Sequence, residues 1–394
     1  MAIAAVRVQV PLRVPFQFPF SKNYLIFALG FKLYQQEVLN TGDIHFGLQI
    51  IRIINPFKIL NLARKNVLKN FKDLKSHKSM NWGFIGFGNI AHKFLKSLIA
   101  VPGQNVSAIA TKSGKDTASY KCPEAVIYND YADLVKDENV DIVYICTTHN
   151  FHVDQVLMCL DHHKHVVCEK PMALDLASAQ KIRSYPRSTF LMEAMWTRYL
   201  PAYKKAMQLI KEGLIGEVHW MTANFTFDHP GSAEGRHRNP ALAGGAMYDI
   251  GIYPLAIALD LAGNKAPVEY KSMANWSEEN VDINMTFDMR FENGFVAQCF
   301  CALDKEGSND AIIMGKKGSL VLKDFWRCQK IEHITNEEVY TYYLPYTETG
   351  YFHEIEEAVQ CIENGLMESP SMTIDHSVLV SKMMETLLKD AKNG

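Results

Sequence analysis

Eight cysteines are spread through the 394-residue chain without one Cys-x-x-Cys spacing. That excludes a zinc ribbon or a thioredoxin-type redox pair. The cysteines are also too sparse for the disulfide framework of a small secreted scaffold, so a reducing, cytoplasmic setting is expected. Long hydrophobic runs are missing from the first 79 residues too. In residues 1–79 the longest uncharged apolar stretch, Tyr24 to Phe31, falls far short of the roughly 20 residues that cross a bilayer, and Arg52 and Lys58 interrupt the next. No membrane partner is expected. Acid is scarce in the same segment, with 12 Lys+Arg against 3 Asp+Glu, whereas the remainder holds 29 against 40. The leader is thus +9 and the body −11. A body of that charge repels a phosphate backbone, and it has no basic stripe interleaved with aromatics, which argues against nucleic acid and leaves small molecules. Internal repeats and low-complexity blocks are absent.

The leader also lacks the serine enrichment and alternating Arg/apolar faces of an organelle transit peptide. It reads as a poorly structured or appended segment, with the working protein starting at Met80. The length favours two further domains, expected at 80–200 and 201–394. From residue 80, short apolar runs alternate with helical stretches, the pattern of a parallel sheet covered on both faces. Strands are expected at Trp82 to Ile85, Val106 to Ala110, Ile142 to Cys146, His165 to Cys168 and Thr189 to Met192. Helices are expected near Ile90 to Ala100, Tyr131 to Lys136, His152 to Leu160 and Leu174 to Arg183. After Pro201 come a helix (Ala202 to Lys211), a strand (Val218 to Phe227), a Gly-rich loop, a helix holding Asp249 and Tyr253, and alternating runs such as Asn284 to Phe291 and Gly294 to Cys301. These predict a largely antiparallel sheet with helices on one face. Helical spacing in Phe352 to Asn364 and His376 to Lys392 predicts a tail that packs back onto the body.

Three motifs carry chemistry. In Gly86-Phe87-Gly88-Asn89-Ile90-Ala91, Gly86 permits a tight turn, Gly88 lets backbone approach a pyrophosphate, and Ala91 keeps helix close to sheet. An ordinary strand-helix turn is the alternative. The second expected strand ends in Ala110-Thr111-Lys112-Ser113, with no carboxylate for a ribose diol. Lys112 between two hydroxyls suits a 2'-phosphate and hence NADP, with NAD as the alternative cofactor and a plain surface lysine as the competing reading. In Val166-Val167-Cys168-Glu169-Lys170-Pro171 an apolar run places Lys170 at the carboxyl end of a strand, where doubly wound folds bind ligands. There the ammonium either polarises a reacting oxygen or merely caps carbonyls. In Gly244-Gly245-Ala246-Met247-Tyr248-Asp249-Ile250-Gly251-Ile252-Tyr253 the i, i+4 spacing sets Asp249 and Tyr253 on one helix face. A nearby Lys170 is expected to pull the phenol from its usual pKa near 10 toward neutrality. A capping aspartate and a packed tyrosine would look the same. His162-His163-Lys164-His165 lacks ligand spacing and reads as a solvated turn, and Cys299-Phe300-Cys301 reads as packing.

Together these motifs resemble the glucose-fructose oxidoreductase, inositol dehydrogenase and rhizopine-catabolism family (Gfo/Idh/MocA) over about residues 81 to 390. The run Phe190 to Tyr199 looks most like its branch of dihydrodiol dehydrogenases and NADP-dependent D-xylose dehydrogenases. The resemblance implies an α/β chain: an N-terminal Rossmann doubly wound parallel sheet plus a C-terminal α/β domain whose large open, mostly antiparallel sheet makes a homodimer. It implies Lys170 and Tyr253 as the catalytic pair with Asp249 beside them, Thr147, Thr148, His149, Asn150 and His152 beneath the nicotinamide, and Glu169 near its ribose. Trp196 and Arg198 would line the substrate pocket, and Arg236 or Arg238, with Asn239, would reach the ligand. Inositol dehydrogenases have histidine where Tyr253 stands, which disfavours an NAD-linked inositol dehydrogenase. The family also holds a non-catalytic co-repressor, but the lysine, aspartate and tyrosine together favour an enzyme that interconverts a CH-OH group of a sugar or cyclic vicinal diol with its carbonyl. A proteomic survey of the source cells is expected to recover peptides from 80–394 and few from 1–79. Abundant leader peptides would contradict the reading of the leader.

Overall fold

The computed structural model describes residues 77–112, 122, 124–229 and 235–394. The expected leader lies outside them except for its last three residues, and Ser113 lies outside as well.

Two sheets organise the described chain. The first is built from β1 (Met80–Ile85), β2 (Gln104–Ala110), β3 (Val126–Tyr128), β4 (Ile142–Ile145), β5 (His165–Glu169) and β6 (Leu191–Ala194), in the order β3-β2-β1-β4-β5-β6. All its pairings are parallel. This is the doubly wound order in which the direction of winding reverses between β1 and β4, leaving a crevice at their carboxyl ends. The crossover helices are α1 (Asn89–Leu98), α2 (Tyr131–Lys136), α3 (His152–Asp161) and α4 (Leu176–Ser184). β1 and β4 are almost wholly buried because both their faces are covered. Phe94 of α1 stacks on Tyr144 of β4 at 3.7 Å between centroids and meets Phe84 and Trp82 edge-on or tilted.

After α5 (Pro201–Lys211), with Pro201 opening the helix where its missing N–H costs nothing, comes β7 (Val218–Thr226). The second sheet adds β8 (Glu269–Trp276), β9 (Asp282–Arg290), β10 (Val296–Ala302), β11 (Ala311–Gly315), β12 (Gly318–Lys323), β13 (Lys330–Ile334) and β14 (Val339–Tyr343), in the order β14-β13-β12-β11-β7-β10-β9-β8. Only β7 and β10 pair parallel. Burial alternates along β9, so one face packs inward and the other stays open. Against the inner face lies α6 (Ile252–Leu261). The stretch Pro240–Leu261 is apolar enough to cross a bilayer, yet 83% of its apolar window is buried in the fold, as befits a core helix. The closing helices α7 (Tyr351–Glu363) and α8 (Ile374–Asn393) do pack back as expected. Tyr351 of α7 meets Phe94 of α1 at 5.8 Å, while α8 ties Ser381 to the Ala173 carbonyl and Leu387 to Ser272 of β8. Thr373 caps α8 in a box with His376.

The strand expected at Thr189 to Met192 begins two residues later, and β3 was not foreseen because its three residues, Val126-Ile127-Tyr128, are too few to show a period. The histidine run is only half a solvated turn. His162 and His163 are exposed, but Lys164 is buried and donates to the carbonyls of Asp137 and Val140 at 2.7 Å each, and His165 Nδ1 accepts from Phe190 N–H. Phe94→Ala is expected to lower stability by about 3–5 kcal/mol in reversible denaturant unfolding, and a loss below about 1 kcal/mol would show that α1 is not anchored through this ring.

Candidate active site

The first motif forms the β1–α1 turn. Gly86 has φ +87°, and a Cβ there would lie 3.0 Å from Thr147 Cγ2 and 3.1 Å from the Cys146 carbonyl oxygen, so only glycine fits. Gly88 precedes α1 with open space where a Cβ would stand. Among the described residues no side chain caps the N-terminus of α1, and its first turn holds no acid. The helix therefore presents free N–H groups and the positive end of its dipole to the crevice, a fit for a pyrophosphate. Asn89 is exposed there, Ile90 half-buried and Ala91 buried against the sheet. At the end of β2, Lys112 is exposed and extends over the Tyr131 ring at 4.8 Å, beside buried Thr111.

The β4–α3 loop forms the next wall. Thr147 Oγ1 donates to Gln155 Oε1 at 2.7 Å, Thr148 Oγ1 donates to Asn150 Oδ1 at 2.8 Å, and His149 Nδ1 lies 3.2 Å from the Ala243 carbonyl oxygen. Burial, reinforced by the Lys170 charge, lowers His149 to about 3, so its ring is neutral. His152, expected beneath a nicotinamide, is instead fully buried with its ring nitrogens 2.8 Å from the Pro171 carbonyl and 3.2 Å from the Thr147 carbonyl. It braces two loops and has no face left for a ligand.

Lys170 follows β5 directly and reaches toward the helix packed on the other sheet. Its Nζ donates to the backbone carbonyl of Asp249, lies 3.7 Å from Asp249 Oδ1, and sits 5.1 Å from the centroid of the Tyr253 ring. The three expected catalytic residues therefore converge, although 79 residues separate Lys170 from Asp249. Local backbone explains how. Met247–Gly251 is a turn of π-helix that runs into α6, not the regular helix expected from i, i+4 spacing. The residue one π-turn beyond Asp249 is Pro254, which has no N–H to offer. Lys170 supplies a donor to the Asp249 carbonyl in that position.

Two glycines admit what surrounds the turn. A Cβ on Gly244 would come within 2.7 Å of the Arg236 and His237 carbonyl oxygens, and one on Gly245, at φ +126°, within 2.1 Å of Asp282 Oδ1. Arg236 thus reaches Asp249 Oδ1 at 3.0 Å and His237 Nε2 reaches Oδ2 at 3.3 Å. Of the two arginines weighed for this loop it is Arg236 that arrives, while Asn239 accepts from Ala241 N–H within its own turn. Burial opposes the Asp249 charge, but Lys170, His237 and Arg236 more than offset it and hold the carboxyl well below the usual range. Lys170 is lowered by burial, with Asp249 and Glu169 pulling the other way. Tyr253 does not follow the expectation of a phenol drawn toward neutrality. Burial, with Glu169, Asp249 and Glu354 facing it, raises Tyr253 well above 10. Glu169 accepts from Tyr144 O–H at 2.5 Å and is itself raised by burial.

Arg198, expected in the substrate pocket, is buried and committed elsewhere: it pairs with Asp260, donates to the Ser371 carbonyl at 2.9 Å and lies 3.1 Å from His376 Nδ1. Trp196 is only 7% exposed and stacks on Tyr351 at 5.3 Å. It belongs to an aromatic wall in which Tyr253 meets Phe225 at 5.3 Å, Phe225 stacks on Trp326 at 4.8 Å, and Trp326 meets Trp196 at 5.6 Å. Sequence reasoning passed over Phe225, Trp326, His237, Asp282 and Glu354. The Gly-Gly pair was the one local signal of how tightly the Arg236–His237 loop and Asp282 approach.

Residues 80–189 match the family model of an oxidoreductase family with an NAD-binding Rossmann fold, and residues 203–321 match the GFO/IDH/MocA C-terminal domain. A trans-1,2-dihydrobenzene-1,2-diol dehydrogenase of Xenopus tropicalis is 30% identical over 328 residues, covering 78% of this chain and 97% of its own. A D-xylose 1-dehydrogenase (NADP(+)) of Hypocrea jecorina is 30% identical over 360 residues, covering 79% and 92%. The fold is shared with an aldose-aldose oxidoreductase of Caulobacter crescentus, at TM-score 0.73 and 21% identity over 80% of this chain and 98% of that one. A levoglucosan dehydrogenase in complex with NADH and levoglucosan shares it too, at TM-score 0.72 and 18% identity over 80% and 97%.

The two glycine positions should separate by readout. Gly245→Ala is expected to destabilise by at least about 1–3 kcal/mol from backbone strain alone, seen as a lower Tm. Gly88→Ala should leave Tm unchanged while weakening dinucleotide binding by fluorescence titration. Unchanged Tm for Gly245→Ala would contradict the close approach to Asp282.

Proposed function

Because the chain belongs to the Gfo/Idh/MocA oxidoreductase family, we propose that it is an NADP-dependent dehydrogenase interconverting a CH-OH group of a sugar or cyclic vicinal diol with its carbonyl. The observation that carries the reading is the convergence of Lys170, just past a strand of the first sheet, with Asp249 and Tyr253 from the π-turn and helix packed on the second. A bound nicotinamide dinucleotide supplies the hydride acceptor or donor. The protein's own groups handle the oxygen and its proton. Tyr253, kept protonated by burial and facing carboxylates, donates to the oxygen in the reducing direction, and the Lys170 ammonium stabilises negative charge developing there. Asp249 stays ionised and counters the lowering that burial imposes on Lys170.

The exposed Lys112 supports NADP, since a cation at the end of β2 suits a 2'-phosphate. The relatives named above act on diols and D-xylose. The aromatic wall supports a ring-shaped polar substrate, because the buried indole N–H groups of Trp196 and Trp326 have no hydrogen-bond partner among the described residues. In this reading residues 80–200 bind cofactor and 201–394 bind substrate and form a homodimer through the open sheet face, where Trp220, Met273 and Phe300 lie. All eight cysteines are free thiols, which supports a cytoplasmic setting.

Tyr253→Phe and Lys170→Ala should each lower kcat by about 10²–10⁴ with dinucleotide affinity retained, assayed with D-xylose, levoglucosan and trans-1,2-dihydrobenzene-1,2-diol. Near-normal turnover by either variant would overturn the mechanism. Lys112→Asp should weaken NADP binding by roughly tenfold or more and leave NAD binding unchanged, and equal weakening of both would count against the assigned phosphate contact.

A further inference from the structure

Asp282 opens β9, yet its carboxylate serves a helix elsewhere. Oδ2 accepts from Met247 N–H at 2.7 Å, and Oδ1 presses on Gly245, where a Cβ would come within 2.1 Å. The turn Met247–Gly251 receives no side-chain cap from Ala246, the residue before it. A helix start needs acceptors for its free N–H groups, and local Ser, Thr, Asp or Asn ordinarily provides them. Here an aspartate 35 residues away does so. The side chain is 2% exposed. Facing it are the Tyr248 phenol from the helix, Cys301 from β10 and the Lys392 ammonium from α8.

We propose that Asp282 is a positioning residue for the reaction: its ionised carboxylate caps the turn at Met247 and thereby fixes the Asp249 carbonyl toward Lys170 and the Tyr253 phenol beside it. This rests on the functional reading above. Protonation would present an O–H to backbone N–H groups that require an acceptor, so the cap weakens and the turn shifts. Burial raises this carboxyl to about 7, which brings the change into the ordinary assay range. Stability and activity then respond to it in opposite directions. A carboxyl raised above its unfolded value of 3.8 contributes stability that is full below about pH 4 and lost as pH rises through about 7, whereas the working cap exists only above about 7.

The test uses the full chain, as wild type, Asp282→Asn and Asp282→Ala, with whichever of D-xylose, levoglucosan and trans-1,2-dihydrobenzene-1,2-diol the wild type oxidises. Asp282→Asn keeps one acceptor oxygen without the charge. It should lower kcat by roughly 10- to 100-fold at alkaline pH with NADP affinity unchanged. The ratio of variant to wild-type kcat should climb as pH falls through about 7, because the wild type loses there what the variant never had. Asp282→Ala should lower kcat further, and if it fails to fold, Asp282→Asn alone decides. A folded Asp282→Asn with wild-type kcat, or with a ratio independent of pH, overturns the assignment. If the wild type binds NADP but oxidises none of the three, the functional reading falls and this inference falls with it.

Discussion

The contact on which the site depends is the one between the Lys170 ammonium and the backbone carbonyl of Asp249. It joins the carboxyl end of β5, in the first sheet, to the π-turn ahead of α6, the helix packed on the second. A backbone acceptor cannot rotate away as a side chain can, so the ammonium is aimed by the fold itself. The carbonyl is open to it because a π-turn, with a proline one turn on, leaves that position poor in backbone donors. Once Lys170 is held there, its distance from Tyr253 follows from the geometry of the turn.

Lys170, His237 and Arg236 surround the single Asp249 carboxylate and keep it ionised against its burial, while burial first, and then Glu169, Asp249 and Glu354, keep the proton on Tyr253. Groups of opposite role are thus separated by environment, the carboxyl driven down and the phenol driven up, as acid–base sites require. Glycine makes the crowding possible. Gly244 and Gly245 let the Arg236–His237 loop and Asp282 approach the turn from two directions, and a side chain at either would displace one of them.

Much of this was legible in the chain. The strands around the crevice announced themselves as apolar runs because both faces of a parallel sheet are buried, and Gly86, Lys170, Asp249 and Tyr253 stood out by motif. What stayed hidden depends on partners far along the sequence. Nothing local marked Arg198 as the partner of Asp260 rather than a pocket residue, or His152 as a brace between loops. The phenol of Tyr253 departs from the expectation because burial between distant elements, invisible in a local motif, raises it most, with Glu169, Asp249 and Glu354 adding to the effect. β3 escaped because three edge residues, two exposed and one half-buried, are too few to carry periodicity. Pro254, five residues after Asp249, was the sequence mark of an unusual carbonyl.

The central claim is that a carbinol hydrogen leaves the substrate between Lys170 and Tyr253 as hydride. Mass spectrometry of the reduced cofactor after turnover of substrate deuterated at the reacting carbon tests it most directly. The account predicts one deuterium in the reduced nicotinamide and none in the water. Turnover that leaves the label in the product or releases it to solvent would contradict it.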